Sequence, residues 1–279
     1  MKPLFRQHTE IYSFSGIYEE ESFWRKLPAS AGDFRFFDLT HLSGTNGYLS
    51  EEAKAEICEL FTATGGIHYI DSGNTHYMTG LLTARIDEPF RLLLFDHHPD
   101  MQKPAFGSLL SCGSWLRSAI EENRNLRSVV MAGVDEVLAG QVMEADGGKW
   151  EIDGETGLWQ GSWQDRPLTR IPTDILETTE SGKLLAYLSG DGLLPLYLSI
   201  DKDVFSADEV RTNWDQGSLS TEGFFRVLRA LCEGETPILG VDICGECDRR
   251  AGSEDYRRAL MQNDSFNGRI YSILCGGEA

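Results

Sequence analysis

Residues 91–101 read RLLLFDHHPDM, an unbroken apolar run from Leu92 to Phe95 that ends in Asp96, His97, His98 and Asp100. Consecutive apolar residues of this length mark a strand buried on both faces, the kind found inside a parallel sheet. Pro99 lacks an N–H and pushes His98 towards extended geometry, which argues against a helix there. Along an extended chain alternate side chains share a face, so Asp96, His98 and Asp100 fall together and His97 turns away. Two carboxylates and an imidazole where a buried strand ends suit a hard or borderline divalent cation.

Other segments repeat this design. Leu194 to Ile200, LPLYLSI, is a second buried strand, and it delivers Asp201-Lys202-Asp203 with both carboxylates on one face and Lys202 on the other. Pro237 to Ile243, PILGVDI, is a third, ending near Asp242 and Glu246. Ile67 to Asp71 forms a short strand followed by a glycine turn, SGNTHY, which puts His76 at or near the start of a helix, outside the carboxyl end of a strand. His68, inside that strand, reads as a packing residue. Asp33 to Leu39 and Arg127 to Gly133 are further strands, and Arg269 to Leu274 reads as the last. Helices are expected from the Ser50 N-cap to Phe61, over Ser108 to Asn123, over Thr221 to Leu231 and over Ser253 to Met261.

Residues 1–32 read as a polar and aromatic lead-in. Gly140 to Arg170 carries the turn signals GGKW, IDGETG and WQGSW, and reads as a β-hairpin excursion or loop insertion around 140–170. Its Trp150, Trp159 and Trp163 either line a rim or oligomer contact or pack within the hairpin. Strands alternating with helices make this an α/β protein with a mostly parallel sheet covered on both faces. No linker, repeat or low-complexity segment divides it, so one domain over 1–279 is expected.

The 279 residues are 41% hydrophobic, enough for a substantial core, and contain no apolar run long enough to span a bilayer. The N-terminus lacks the apolar region of a signal peptide, so a cytoplasmic location is the default. A formal charge of −19, from 44 acidic against 25 basic residues, disfavours nucleic acid and anionic membranes and favours a cationic small molecule. The six cysteines show no secreted-domain spacing and are expected as reduced thiols. Cys244 and Cys247 form a C-x-x-C, but it follows a late strand and has no second pair, which speaks against zinc or redox work.

His76, Asp96, His98, Asp100, Asp201 and Asp203 together offer four carboxylates and two imidazoles, the donor set of a pair of divalent cations. Mostly hard oxygen donors favour Mn²⁺ over Zn²⁺, with other divalent metals open. In FDHHPD, SIDKDVF and, more loosely, SGNTHY, the chain resembles the arginase/agmatinase (ureohydrolase) family. The resemblance implies a three-layer α/β/α fold of the arginase/deacetylase type and a dimanganese cluster at the strand ends. Asp96 and Asp201 would bridge the metals, His76 and Asp100 would complete one site, and His98 and Asp203 the other. A bridging hydroxide would attack a guanidino or amidino carbon and expel an amine. Asp100 and Glu246 are the catalytic candidates; Glu246 and Trp115 are the candidates for contact with substrate. A homo-oligomer is implied by analogy.

The chain also departs from that family. Its usual Asp-Pro and Gly-Thr-Gly-Thr-Pro segments are replaced by Phe205-Ser206-Ala207-Asp208 and NWDQGS. Trp115 stands where many members have a histidine. The family's guanidinium-binding glutamate, three residues after a late aspartate, falls on Gly245 when counted from Asp242, with Glu246 one further on. Two alternatives stay open: a deacetylase-like amidohydrolase with one zinc, and a metal-binding protein of this fold without hydrolytic activity.

Overall fold

The computed structural model describes residues 8–26, 33–61, 65–105, 107, 109–189, 194–247 and 253–277. In chain order the elements are β1 (His8–Ser13), β2 (Asp33–Asp38), α1 (Glu51–Leu60), β3 (Gly66–Tyr69), α2 (Tyr77–Thr83), β4 (Phe90–Phe95), α3 (Trp115–Glu122), β5 (Leu126–Ala132) and α4 (Glu136–Glu144). There follow β6 (Glu151–Ile152), β7 (Trp159–Trp163), β8 (Arg166–Ile171), α5 (Thr173–Thr178), α6 (Ser181–Ser189), β9 (Leu196–Asp201), α7 (Thr221–Glu233), β10 (Ile238–Cys244) and α8 (Ser253–Leu274).

All ten strands join one sheet in the order β2-β1-β3-β10-β9-β4-β5-β8-β7-β6. Every pairing from β2 to β8 is parallel, and only β8-β7-β6 run antiparallel. Strand alternation splits the apolar runs between two cores. Leu93, Phe95, Leu198 and Ile200 face α5 to α8, which contribute Leu176, Leu188, Phe224 and Ile270. Leu92, Leu94 and Tyr197 face α1 to α4, which contribute Ile57, Met78, Leu116 and Met143. A sheet buried on both faces by helices is the expected three-layer α/β/α architecture.

Several elements differ from the sequence reading. Arg269 to Leu274 is not a strand but the end of α8. Ala259, Phe266, Ile270 and Ile273 are all buried at helical spacing, so the periodicity outweighs the local β preference of Ile and Tyr. The lead-in contains β1, whose HTEIYS pairs with both β2 and β3. The helix expected from Ser108 begins at Trp115; Ser108 lies outside the described residues, and Ser111 instead bridges to Tyr48. Helix α4, capped by Asp135, extends into the segment taken as insertion, and α5 and α6 follow the hairpin.

The hairpin itself is present, with β8 joining the main sheet beside β5. Of its tryptophans, Trp159 packs within the hairpin, and Trp150 and Trp163 reach residues of α4 and α3. Trp163 is buried under Arg117, Trp159 lies beneath Arg170, and the Trp150 indole donates to the Ala139 carbonyl. None of the six cysteines forms a disulfide. No helix among the described residues is long and apolar enough to cross a membrane.

Candidate metal centre

Strands β4 and β9 are neighbours at the middle of the sheet and pair in register up to Phe95 opposite Ile200. The next residues, Asp96 and Asp201, therefore emerge side by side at the carboxyl ends, where open parallel sheets place their ligands. His76 ends the short turn Gly73–Thr75 and directly precedes α2. Gly73 allows the close approach: a Cβ there would lie 3.0 Å from Asp201 Oδ2 and 3.0 Å from the Trp214 ring. Asp100 adopts a left-handed φ of 48°, a conformation aspartate tolerates better than most residues, just before the chain turns towards α3.

These backbone turns converge on one point. His76 Nδ1 lies 3.3 Å from Asp96 Oδ2, 3.0 Å from Asp100 Oδ2 and 3.4 Å from Asp201 Oδ2. His98 Nδ1 lies 2.8 Å from Asp203 Oδ2 and 3.7 Å from Asp96 Oδ1. Asp96 thus belongs to two compact donor groups, with His76 and Asp100 on one side and His98 and Asp203 on the other. Asp201 closes against His76 and Cys244. Both imidazoles present Nδ1 to the carboxylates and are anchored through Nε2, His76 at 2.9 Å from Ser199 Oγ and His98 at 3.1 Å from Asp215 Oδ1. Such outer contacts fix the ring and tautomer of a metal-binding histidine.

The donor set fits divalent cations on this structure's own terms. Asp96 Oδ2 is buried and makes no hydrogen bond, with the His76 ring 3.3 Å away as its one close cationic neighbour among those described, and a buried carboxylate oxygen is costly without a strong partner. Burial, followed by Asp100, raises the Asp96 carboxyl, and burial, followed by Asp203, raises Asp201. Asp203 is pushed up to about 7 by burial and by Asp96. Burial opposes charge on His98, yet bonding to Asp203 and Asp96 carries it up to about 12. Without cations, the cluster can reduce its crowded negative charge only by holding protons. Cations would take the protons' place.

A pocket of about 340 Å³ opens above the cluster, walled by Asn46, Tyr48, Asn74, Gln102, Ser111 and Trp214. His97 points elsewhere, with its Nε2 3.7 Å from Asp215 Oδ2. Trp115 is not in the wall. It is fully buried below, its indole N–H donating to Asp100 Oδ2 and its ring 4.9 Å from the His76 ring. Sequence reasoning missed Cys244, whose Sγ donates to Asp201 Oδ2 at 3.2 Å, although the pairing of β10 with β9 places the two residues opposite each other.

Glu246 is not brought to the pocket either. The N–H groups of Gly245 and Glu246 both donate to the Asp71 carbonyl, and Gly245 turns the chain with a φ of +95°. Glu246 is thereby directed into the α5–α8 layer, where it is buried and paired with Lys202 Nζ. Gly245 itself has no room for a side chain: a Cβ would lie 2.7 Å from both Asp201 Oδ1 and the Lys202 nitrogen. His68 is a buried structural group, with Nδ1 2.8 Å from Asp242 Oδ1.

An uncharacterised protein of Thermotoga maritima is 29% identical over 241 residues, which cover 86% of this chain and 80% of that one. Among solved structures, the formimidoylglutamase of Bacillus subtilis aligns over 100% of this chain and 89% of its own, with TM-score 0.65 and 10% identity. The formiminoglutamase of Trypanosoma cruzi, solved with Mn²⁺, covers 98% and 95% with TM-score 0.64 and 12% identity. The arginase of Bacillus caldovelox covers 97% and 98% with TM-score 0.60 and 13% identity. At such identities the structures speak for the ureohydrolase fold alone. Residues 46–245 also match the sequence profile of the arginase family, a span that takes in the whole His76-to-Asp203 cluster, and the chain belongs to that family.

Proposed function

We propose that this chain is a hydrolase of linear C–N bonds at a trigonal, nitrogen-bearing carbon, the kind found in guanidino and amidino compounds. In this reading one domain, residues 1–279, carries two Mn²⁺ ions on His76, Asp96, His98, Asp100, Asp201 and Asp203. The observation that carries it is the Asp96 carboxylate, shared between two donor groups at the floor of an open pocket. Oxygen donors outnumber nitrogen, which favours manganese over zinc. The Mn²⁺ in the Trypanosoma cruzi relative's structure supports the same choice.

Bound there, the two cations would supply a water acidic enough to attack near neutral pH and an electrophilic pull on the substrate. The protein's own part is positioning and proton handling. Ser199 and Asp215 hold the two imidazoles by Nε2, so Nδ1 faces the cluster. Trp115 fixes Asp100 by holding its Oδ2, and Asp100, which lines the pocket, would take a proton as a C–O bond forms.

Metal content by mass spectrometry, on protein grown with manganese, tests this for wild type and Asp201→Asn. About two Mn per chain, falling sharply in the variant, together with urea or ammonia release from a C–N substrate, is the expected result. One zinc per chain would overturn it in favour of a deacetylase-like site. No metal even in excess Mn²⁺ would overturn it outright.

A further inference from the structure

The pocket wall carries a substrate preference, and this inference rests on the hydrolase reading above. Among the described lining residues, every charged side chain belongs to the proposed ligand set; the rest of the wall is amide, hydroxyl, thiol, backbone and aromatic ring. A guanidinium has only N–H donors and calls for a carboxylate partner. Glu246 is sealed away with Lys202, and Gly245 cannot carry a side chain. An anionic tail fares no better, because no lysine or arginine is among the described lining residues.

What the wall does offer is a built stacking surface. The Trp214 indole N–H donates to Asn74 Oδ1 at 3.0 Å, and Asn74 Nδ2 donates to Asn46 Oδ1 at 2.7 Å. This relay joins three segments far apart in sequence and fixes the indole over the mouth. Trp214 is 41% exposed and Tyr48 40% exposed, though both line the same pocket. The Trp214 ring also stands edge-on to His98 at 5.6 Å, next to the proposed metal ligands. Planar π-surfaces and neutral amides match an uncharged planar group with both an acceptor oxygen and N–H donors.

We propose that this site takes an uncharged ureido or carboxamide compound, laid against Trp214, in preference to a guanidinium. For a ureido substrate, water and R–NH–CO–NH₂ would give ammonia and R–NH–COOH. A C–O bond forms, a C–N bond breaks, and the departing nitrogen takes the proton.

The probes are n-butylurea and n-butylguanidinium, of equal length and differing chiefly in charge. Broadening of their proton lines by Mn²⁺ on the loaded full chain, in excess over the Asp201→Asn protein, reports arrival at the pocket. Butylurea is expected to bind about ten-fold more tightly than butylguanidinium. Trp214→Leu should weaken butylurea about five-fold, with manganese content unchanged to show an intact floor. Equal or tighter binding of butylguanidinium, or no binding of either probe, overturns the proposal. Selective butylurea binding without ammonia release would leave it standing and sink the hydrolase reading. Urea or ammonia from butylguanidinium alone would do the reverse.

Discussion

Two buried clusters lie on opposite faces of the same strand end. On the α1–α4 side, Asp201 and Asp203 join Asp96 and Asp100 around His76 and His98, beneath an open pocket. On the α5–α8 side, Lys202 meets Glu246 and Asn267, and Asn267 donates in turn to Glu21. The second cluster neutralises itself. Lys202 balances one carboxylate, and burial, with Glu246 next to it, pushes the Glu21 carboxyl well above the usual carboxylate range. The first has more carboxylates than protein cations and lies open to a pocket. Charge neutralised from within is architecture; charge waiting for a cation from solution is a site.

The sharpest way to break this distinction is Lys202→Met. It leaves Glu246 buried without its cation and should destabilise the fold by about 3–5 kcal/mol in denaturant titration. Metal content of the folded fraction should stay at the wild-type level. Loss of manganese at full stability would show the clusters to be one unit.

Asp203→Asn should act with the opposite sign. In metal-free protein Asp203 titrates at about 7, raised from 3.8 by burial. A carboxyl raised on folding contributes stability that is whole below its unfolded pKa and is lost as pH rises through its folded one. Metal-free wild type should therefore lose stability between pH 4 and 7, by up to roughly a few kcal/mol. Asparagine at 203 should flatten that slope and make the metal-free protein more stable at pH 8, while abolishing stabilisation by Mn²⁺. For wild type, protons and cations compete, so Mn²⁺ affinity should climb over the same pH range. Thermal melts at several pH values, with and without Mn²⁺, measure both effects. A Mn²⁺ response that survives in Asp203→Asn would remove Asp203 from the ligand set.

The clusters also differed in how far they could be read from sequence. The apolar runs before Asp96 and Asp201 set the central strands, and strand alternation separates Asp201 and Asp203 from Lys202. Ligand types at strand ends therefore bring the six donors into view. Glu246 could not be read this way: its direction depends on the +95° turn at Gly245 and on Asn267, in a helix whose end resembles a strand. Trp115 reads as a pocket residue until Asp100 is seen to sit above it. The Asn46–Asn74–Trp214 relay spans 140 residues between its last two members, and no local pattern records such a contact.

A smaller effect separates the rings from their supports. Ser199→Ala removes the hydroxyl 2.9 Å from His76 Nε2 and should weaken Mn²⁺ binding by about 10–100-fold without emptying the site. Calorimetric titration would register it, and unchanged affinity would make Ser199 mere packing.

The smallest effect should come from His97→Asn. His97 and His98 are adjacent, their rings are 5.1 Å apart, and both reach Asp215. Only His98 also reaches Asp203, by Nδ1 at 2.8 Å; His97 contributes its backbone N–H to Asp203 Oδ1 at 3.0 Å, which asparagine retains. Manganese content and affinity should therefore match wild type, whereas His98→Asn should lose one ion. If the His97 variant lost metal as well, Asp215 would have to be acting through both rings. The carboxylate outside the pocket would then belong to the centre as much as those inside it.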